Sequence, residues 1–256
     1  MQPIFILICL LPLGYVLGSI PFGLIVGKAN GIDPRTAGSK NIGATNLGRL
    51  LGKKFFFIVF TLDLLKGFIP VAIASAIVHQ ISILDRDWHL FLAWLSVGAA
   101  AVLGHMFSLF LGFKGGKGVA TSAGVMLGLF PYFTWPGIIG TVVFLLVLKI
   151  SRYVSLASMV GAAAFPIIYL AFGLGMGWPV FGAQLPLLLF GLLIPLMIIY
   201  RHRANIGRLR AGTESKIGNN TPNKMKIDTL QPGPEGPGLE PEAHQPSDRP
   251  GPSGLG

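Results

Sequence analysis

The sequence predicts an all-α polytopic membrane protein with about seven transmembrane helices, its N-terminus outside and its C-terminus cytoplasmic. Three observations predict it. Of 256 positions 52% are hydrophobic and only 12% charged, which leaves too little polar surface for a soluble domain of this length. Uncharged apolar runs recur that can cross a hydrocarbon core, which takes about 20 helical residues. The lysines and arginines collect in alternate connections between those runs, as positive-inside topology requires.

The runs fall at about 4–27, 55–78, 88–111, 118–148, 154–174 and 181–200. The first lacks a basic segment before it, so it is expected to stay as a helix and not to be cleaved as a signal peptide. The run 118–148 would be ~46 Å long as one helix, against a core of ~30 Å. Pro131 and Pro136 mark a break near its middle, with Tyr132 and Trp135 expected as interfacial anchors. Charge decides how to count it. Two short helices place Lys28, Arg35, Lys40, Arg49, Lys53, Lys54, Lys114, Lys117, Lys149, Arg152 and the basic segment from Arg201 on one side, leaving outside only Arg86 between Asp85 and Asp87. One long helix would move Lys149, Arg152 and the C-terminal cations outside, so the seven-span arrangement is preferred.

Small-xxx-small pairs such as Gly14/Gly18 and Gly124/Gly128 are expected to bring helices close. From residue 218 the composition changes: P-G-P-E-G-P-G-L-E-P has no apolar periodicity, so 218–256 is expected to be a disordered Pro/Gly-rich cytoplasmic tail behind a membrane domain of 1–217. The single cysteine, Cys9, excludes an internal disulfide and makes no metal cluster. A net charge of +10 would point a soluble protein toward nucleic acid; here positive-inside topology accounts for it and no nucleic-acid partner is expected.

Three cationic, glycine-rich segments carry the chemistry. G-S-K-N-I-G-A-T-N-L-G-R (Gly38 to Arg49) offers Ser39, Asn41, Thr45 and Asn46 with a guanidinium at Arg49, a group that grips phosphate through two parallel hydrogen bonds. G-F-K-G-G-K-G (Gly112 to Gly118) differs from a Walker A motif in spacing and in having Gly118 after Lys117. Its Lys114, Gly115, Gly116, Lys117 and Gly118 nevertheless precede a helical run whose N-terminal amides suit an anion. R-H-R-A-N-I-G-R-L-R (Arg201 to Arg210) places His202 and Asn205 one turn apart if the helix continues. Ser155 and Ser158 are similarly spaced near a helix start. His105 reads equally as a packing or a functional residue. Asp63 and Lys66 read as a self-neutralising structural pair within a span, with Lys66 long enough to snorkel.

No pair of carboxylates accompanies these segments, only Asp33 and Glu214, and no nucleophile elbow is present. A covalent acyl-enzyme is therefore not expected; positioning and electrostatics acting on an already activated substrate are. An organic-phosphate transporter and an anionic-lipid-binding scaffold are the competing readings. Against transport, the basic motifs collect at one face, whereas a transport site lies near the midplane. A scaffold of juxtamembrane cations would tolerate Lys-for-Arg exchange.

Together with G-S-I-P-F-G near the end of the first span, G-H-M-F-S-L-F-L-G-F-K-G-G-K-G-V-A-T and the continuation of the third segment, H-R-A-N-I-G-R-L-R-A-G-T-E (His202 to Glu214), these segments resemble the bacterial acyl-phosphate:glycerol-3-phosphate acyltransferase (PlsY) family, in order over about residues 1–217. The resemblance implies a seven-span, multi-pass enzyme of the bacterial inner membrane with its active site at the cytoplasmic face. It would transfer a fatty acyl group from acyl-phosphate to the 1-hydroxyl of glycerol-3-phosphate, giving lysophosphatidic acid and phosphate, without a cofactor or metal. Ser39, Arg49, a glycine-loop lysine (Lys117 in preference to Lys114), one of Ser155 and Ser158, His202 and Asn205 would be the substrate ligands. Ser39, Lys117 and loop amides would stabilise the transition state while the donor's own phosphate takes the proton, with His202 as the rival base. The expected partners are the two substrates and membrane lipid; no polar stripe asks for a protein partner, so a monomer is expected.

Overall fold

The computed structural model describes residues 3–218, and the statements below concern those residues. The tail expected at 218–256 lies outside them, except for Gly218. The regular secondary structure of the described residues is all helical. The first run divides into α1 (Pro3–Ser19) and α2 (Phe22–Ala29), because Pro21 lacks an amide hydrogen and disfavours helical geometry in the residue before it. A loop leads to the short α3 (Ala44–Leu51), then Gly52 turns the chain into α4 (Lys53–Val78). Asp87 caps α5 (Trp88–Met106), its carboxylate accepting from the Leu90 amide at 2.9 Å.

The run 118–148 divides as expected, into α6 (Val119–Gly128) and α7 (Thr134–Ser151), with Pro131 in the break. Pro136 lies in the first turn of α7, where a missing amide hydrogen costs nothing. Then come α8 (Val154–Gly175), α9 (Leu185–Arg201) and α10 (Arg203–Arg210), the last two bent by 54° at His202. Five helices are long and apolar enough to cross a membrane, six if α9 with α10 is one span. The ten-residue α6, ~15 Å long, is shorter than a full crossing and leans on α4.

The most buried span is α5, and α1, α4, α6 and α9 pack on it; α7 and α8 pair, and α8 also packs on α9. Glycine lets backbones touch where the small-xxx-small pairs predicted. A side chain at Gly18 would strike the Ala101 carbonyl of α5, and one at Gly124 the Leu64 carbonyl of α4. Leu145, Leu146, Ile167, Leu193 and Leu196 point outward, where lipid tails replace a protein core.

Two expectations change. Trp135 is exposed, but Tyr132 is buried among Phe91, Trp94 and Trp178, and its hydroxyl meets Arg86 at 3.4 Å. It is a core residue, not an interfacial anchor. Asp63 and Lys66 do form their pair, at 2.8 Å, but Lys66 does not snorkel. Its ammonium is buried and donates at 2.8 Å to the Ile20 carbonyl, beside the break at Pro21.

Candidate active site

The ends of α5, α7 and α9 lie where α4, α6 and α8 begin, and the three cationic segments meet there. They enclose a polar cleft of about 120 Å3. Ser39, Asn41, Thr45, Asn46 and Arg49 line it from the first segment, Lys117 and Gly118 from the second, His202 and Asn205 from the third, and Ser155 from the start of α8. The geometry separates the paired candidates. Lys117 lines the cleft while Lys114 is exposed away from it, and Ser155 lines the cleft while Ser158 bonds the Val154 carbonyl one turn back at 2.8 Å.

Glu214 organises this cleft. Its Oε1 accepts from Ser155 Oγ at 2.8 Å and Asn205 Nδ2 at 2.7 Å, and its Oε2 from Arg208 Nε at 2.7 Å. Asn205 in turn accepts from Lys117 Nζ at 2.5 Å through Oδ1. One carboxylate thus gathers α8, α10 and, through Asn205, the glycine loop. Burial works to raise its pKa, but the three hydrogen bonds and the Arg208 charge outweigh it and hold the carboxyl below its ordinary value. Burial pulls the Lys117 ammonium down to about 8, aided by Arg208, Arg49 and Arg201 against the opposing pull of Glu214. Burial lowers the Arg49 guanidinium too, and its Nη2 donates to the Ser215 carbonyl at 3.0 Å.

His202 sits at the bend between α9 and α10, so it and Asn205 reach the cleft from two helices, not from one continuous face. Its Nδ1 lies 2.8 Å from the Ile198 carbonyl, which can only accept; Nδ1 therefore carries the proton and Nε2 is left as an acceptor. Burial and the neighbouring Lys117 charge depress its pKa to about 4. The imidazole is neutral at pH 7 and weakly basic.

Two other expectations are corrected by hydrogen bonding. Asn46 is an organiser of its loop: Oδ1 accepts from the Ser39 amide at 2.8 Å, and Nδ2 donates toward the carbonyls of Asn41, Pro34 and Ala37. Its polar atoms are already engaged. Gly115 and Gly116 do not line the cleft, because their amides bond the Met106 and His105 carbonyls at 3.1 Å and Arg201 binds their own carbonyls. The amides available to an anion are instead those of the first turn of α6, where Gly118, Val119 and Ala120 border the cleft.

Sequence reasoning missed the organising roles of Glu214 and Arg201. The signals for Glu214 were its position as the lone acid beside the last basic segment and its place at the end of the motif H-R-A-N-I-G-R-L-R-A-G-T-E. Asp63 and His105 also line the cleft, their Oδ1 and Nδ1 atoms 3.7 Å apart. Val119, Phe56, Phe60, Phe144 and Val154 border both this cleft and a second, apolar cavity of about 390 Å3 between α6, α7, α8 and α9. Ser158 lines that cavity.

A membrane-embedded helical bundle with a phosphate-sized cationic cleft joined to an apolar chamber is the architecture of an enzyme handling a phosphorylated substrate and a lipid tail. The chain belongs to the glycerol-3-phosphate acyltransferase family, whose model matches residues 7–212. It is 47% identical over 212 residues to a glycerol-3-phosphate acyltransferase of Listeria monocytogenes, covering 82% of this chain and 96% of that one. It is 44% identical over 210 residues to one from Aquifex aeolicus, covering 79% and 95%. A crystal structure described as PlsY (YgiH), an integral membrane glycerol 3-phosphate acyltransferase in its glycerol 3-phosphate form, superposes with a TM-score of 0.68 at 40% identity, covering 88% of this chain and 99% of that chain. Its lysophosphatidic acid form gives a TM-score of 0.67 at 41% identity, covering 83% and 95%. The chain is thus an integral membrane glycerol-3-phosphate acyltransferase of the PlsY family, and the transporter and scaffold readings fall away.

Proposed function

We propose that this acyltransferase takes its acyl group from an acyl-phosphate, transfers it to the 1-hydroxyl of glycerol-3-phosphate, and uses the donor's own phosphate as the base. The observation that carries this reading is a cleft in which Arg49 and Lys117 can meet phosphate oxygens and which opens into an apolar chamber, while the buried His105 turns its Nδ1 to Asp63 at 3.7 Å. Of the cleft's two carboxylates, Asp63 is paired with Lys66 and Glu214 is bound by three donors. His202, with a pKa near 4, is a poor base at neutral pH but a good hydrogen-bond acceptor through Nε2. A donor that is already a mixed anhydride needs little more than positioning and charge stabilisation.

In this mechanism the glycerol hydroxyl oxygen attacks the acyl carbonyl carbon. The bond from that carbon to the phosphate oxygen breaks, the hydroxyl proton passes to the phosphate, and lysophosphatidic acid and inorganic phosphate leave. Arg49 grips the phosphate of glycerol-3-phosphate, and Lys117, Ser39 and the first amides of α6 stabilise charge on the reacting centre. Asn41 and Thr45 are additional ligands, and Asn205 and Ser155 hold the cleft in register through Glu214. The lysophosphatidic acid form of the solved relative supports an acylated glycerol phosphate as the product. The positive-inside bias supports a seven-span topology with the cleft at the cytoplasmic face of a bacterial inner membrane.

The test is an assay of the purified protein with acyl-phosphate and glycerol-3-phosphate, following phosphate release, with acyl-CoA in parallel. Transfer from acyl-CoA with none from acyl-phosphate overturns the donor assignment. His202→Gln should raise the glycerol-3-phosphate KM and leave kcat nearly unchanged; a collapse of kcat at unchanged KM makes His202 the base instead.

A further inference from the structure

The apolar chamber runs alongside α8 from Val154, at the mouth it shares with the polar cleft, to Phe165. At the helical rise that path is about 16 Å deep. Its far end is closed by an aromatic stack. Phe133 meets Phe165 edge-on with ring centres 5.0 Å apart and Tyr169 with centres 5.3 Å apart, and the Tyr169 hydroxyl is held by Gln184 at 3.0 Å. Phe133 and Tyr169 are almost fully buried, so this floor has no free space behind it into which to move.

Gly140 of α7 lines the same chamber and differs from the packing glycines. Side chains at Gly18, Gly67 and Gly124 would collide with a neighbouring helix backbone. A Cβ at Gly140 would meet nothing nearer than Phe165 Cδ2, at 4.0 Å. Helix packing therefore does not require glycine here, and glycine costs a helix about 1 kcal/mol relative to alanine. What the missing side chain leaves is open width directly over the Phe165 floor.

We propose that this chamber measures the acyl chain, with Phe165 and Phe133 as the stop and Gly140 as the residue that keeps the deep end open to long chains. The inference rests on the reading above that the donor's acyl tail occupies the chamber, and it adds which residues set chain-length specificity. A side chain at position 140 shortens the usable depth, and removing the Phe165 ring extends it.

The experiment uses the full chain, purified in detergent, with a series of saturated acyl-phosphates from octanoyl to stearoyl. Gly140→Leu should lower kcat/KM for palmitoyl relative to octanoyl donor by about tenfold or more, the low end of what one misfitted methylene costs in an apolar pocket. Gly140→Ala should move the profile in the same direction by less. Phe165→Ala should move the optimum toward longer chains, and Phe165→Leu serves if that variant does not fold. A folded Gly140→Leu protein that transfers acyl groups with the wild-type length profile overturns the proposal. If wild type uses acyl-CoA and not acyl-phosphate, the donor assignment fails, and the same length series on acyl-CoA still decides the role of position 140.

Discussion

Asp63 and Glu214 line the same polar cleft, yet they do opposite kinds of work. Asp63 finds its partner three residues along its own helix, pairing with Lys66 at 2.8 Å, and Lys66 passes the contact on to the Ile20 carbonyl. Glu214 joins its near neighbours Asn205 and Arg208 to the distant Ser155, and steers the distant Lys117 through Asn205. The first neutralises a charge that a buried helix would otherwise carry alone. The second assembles an active site from segments far apart in sequence. A carboxylate beside a cationic cleft is thus not by itself a catalytic base, and its role follows from what already occupies its oxygens.

Asp63→Asn should break this contrast most severely. It leaves the Lys66 ammonium buried without its counter-charge, a loss of about 3–5 kcal/mol. Thermal unfolding in detergent should show the drop, and adding Lys66→Met should recover much of it. An Asp63→Asn protein that keeps its stability but loses turnover would move Asp63 from scaffold to site.

The next effect in size belongs to Glu214→Gln. Hydrogen bonds to a charged group contribute about 1.5–3 kcal/mol, so kcat/KM should fall roughly ten- to a hundredfold as Asn205 and Lys117 lose register. Unfolding should change less than in Asp63→Asn. The ordering of the two variants in stability and in activity is the measurement; if they rank the same way in both, the distinction between the carboxylates fails.

The smallest effect is a pH dependence at Lys117. Its ammonium, with a pKa of about 8, is protonated below that value and binds anions as a cation. A phosphate monoester acquires its second negative charge near pH 6. Glycerol-3-phosphate affinity should therefore be greatest between about pH 6 and 8, and weaken as pH rises through 8 and the ammonium becomes neutral. Lys117→Arg should remove the alkaline limb, which titration calorimetry from pH 6.5 to 9.5 would show; an unchanged limb assigns it to another group.

Much of the fold was legible because membrane helices announce themselves by composition and length. The run 118–148 was too long for one crossing and Pro131 lay at its middle, so its division into α6 and α7 followed from arithmetic. The pairing of Asp63 with Lys66 followed from spacing on one helix. The tenancy of the cleft was harder to see. Lys114 and Lys117, like Ser155 and Ser158, are three residues apart and chemically alike, and only the direction of each backbone separates them. Asn46, Gly115 and Gly116 resembled ligands because their polar groups looked free in the sequence, but those groups are taken by Ser39, Met106 and His105.

The sequence by itself determined the membrane class, the break near Pro131 and the three cationic segments, since hydropathy, proline and charge act through local physics. Tertiary structure alone decided that Glu214 ties those segments together, that the His202 imidazole presents Nε2, and that an aromatic floor closes the apolar chamber. The Ser155–Glu214, Lys117–Asn205 and Phe133–Phe165 contacts join residues tens of positions apart, and the His202 tautomer depends on which carbonyl the ring meets at the bend, so no local sequence pattern encodes them.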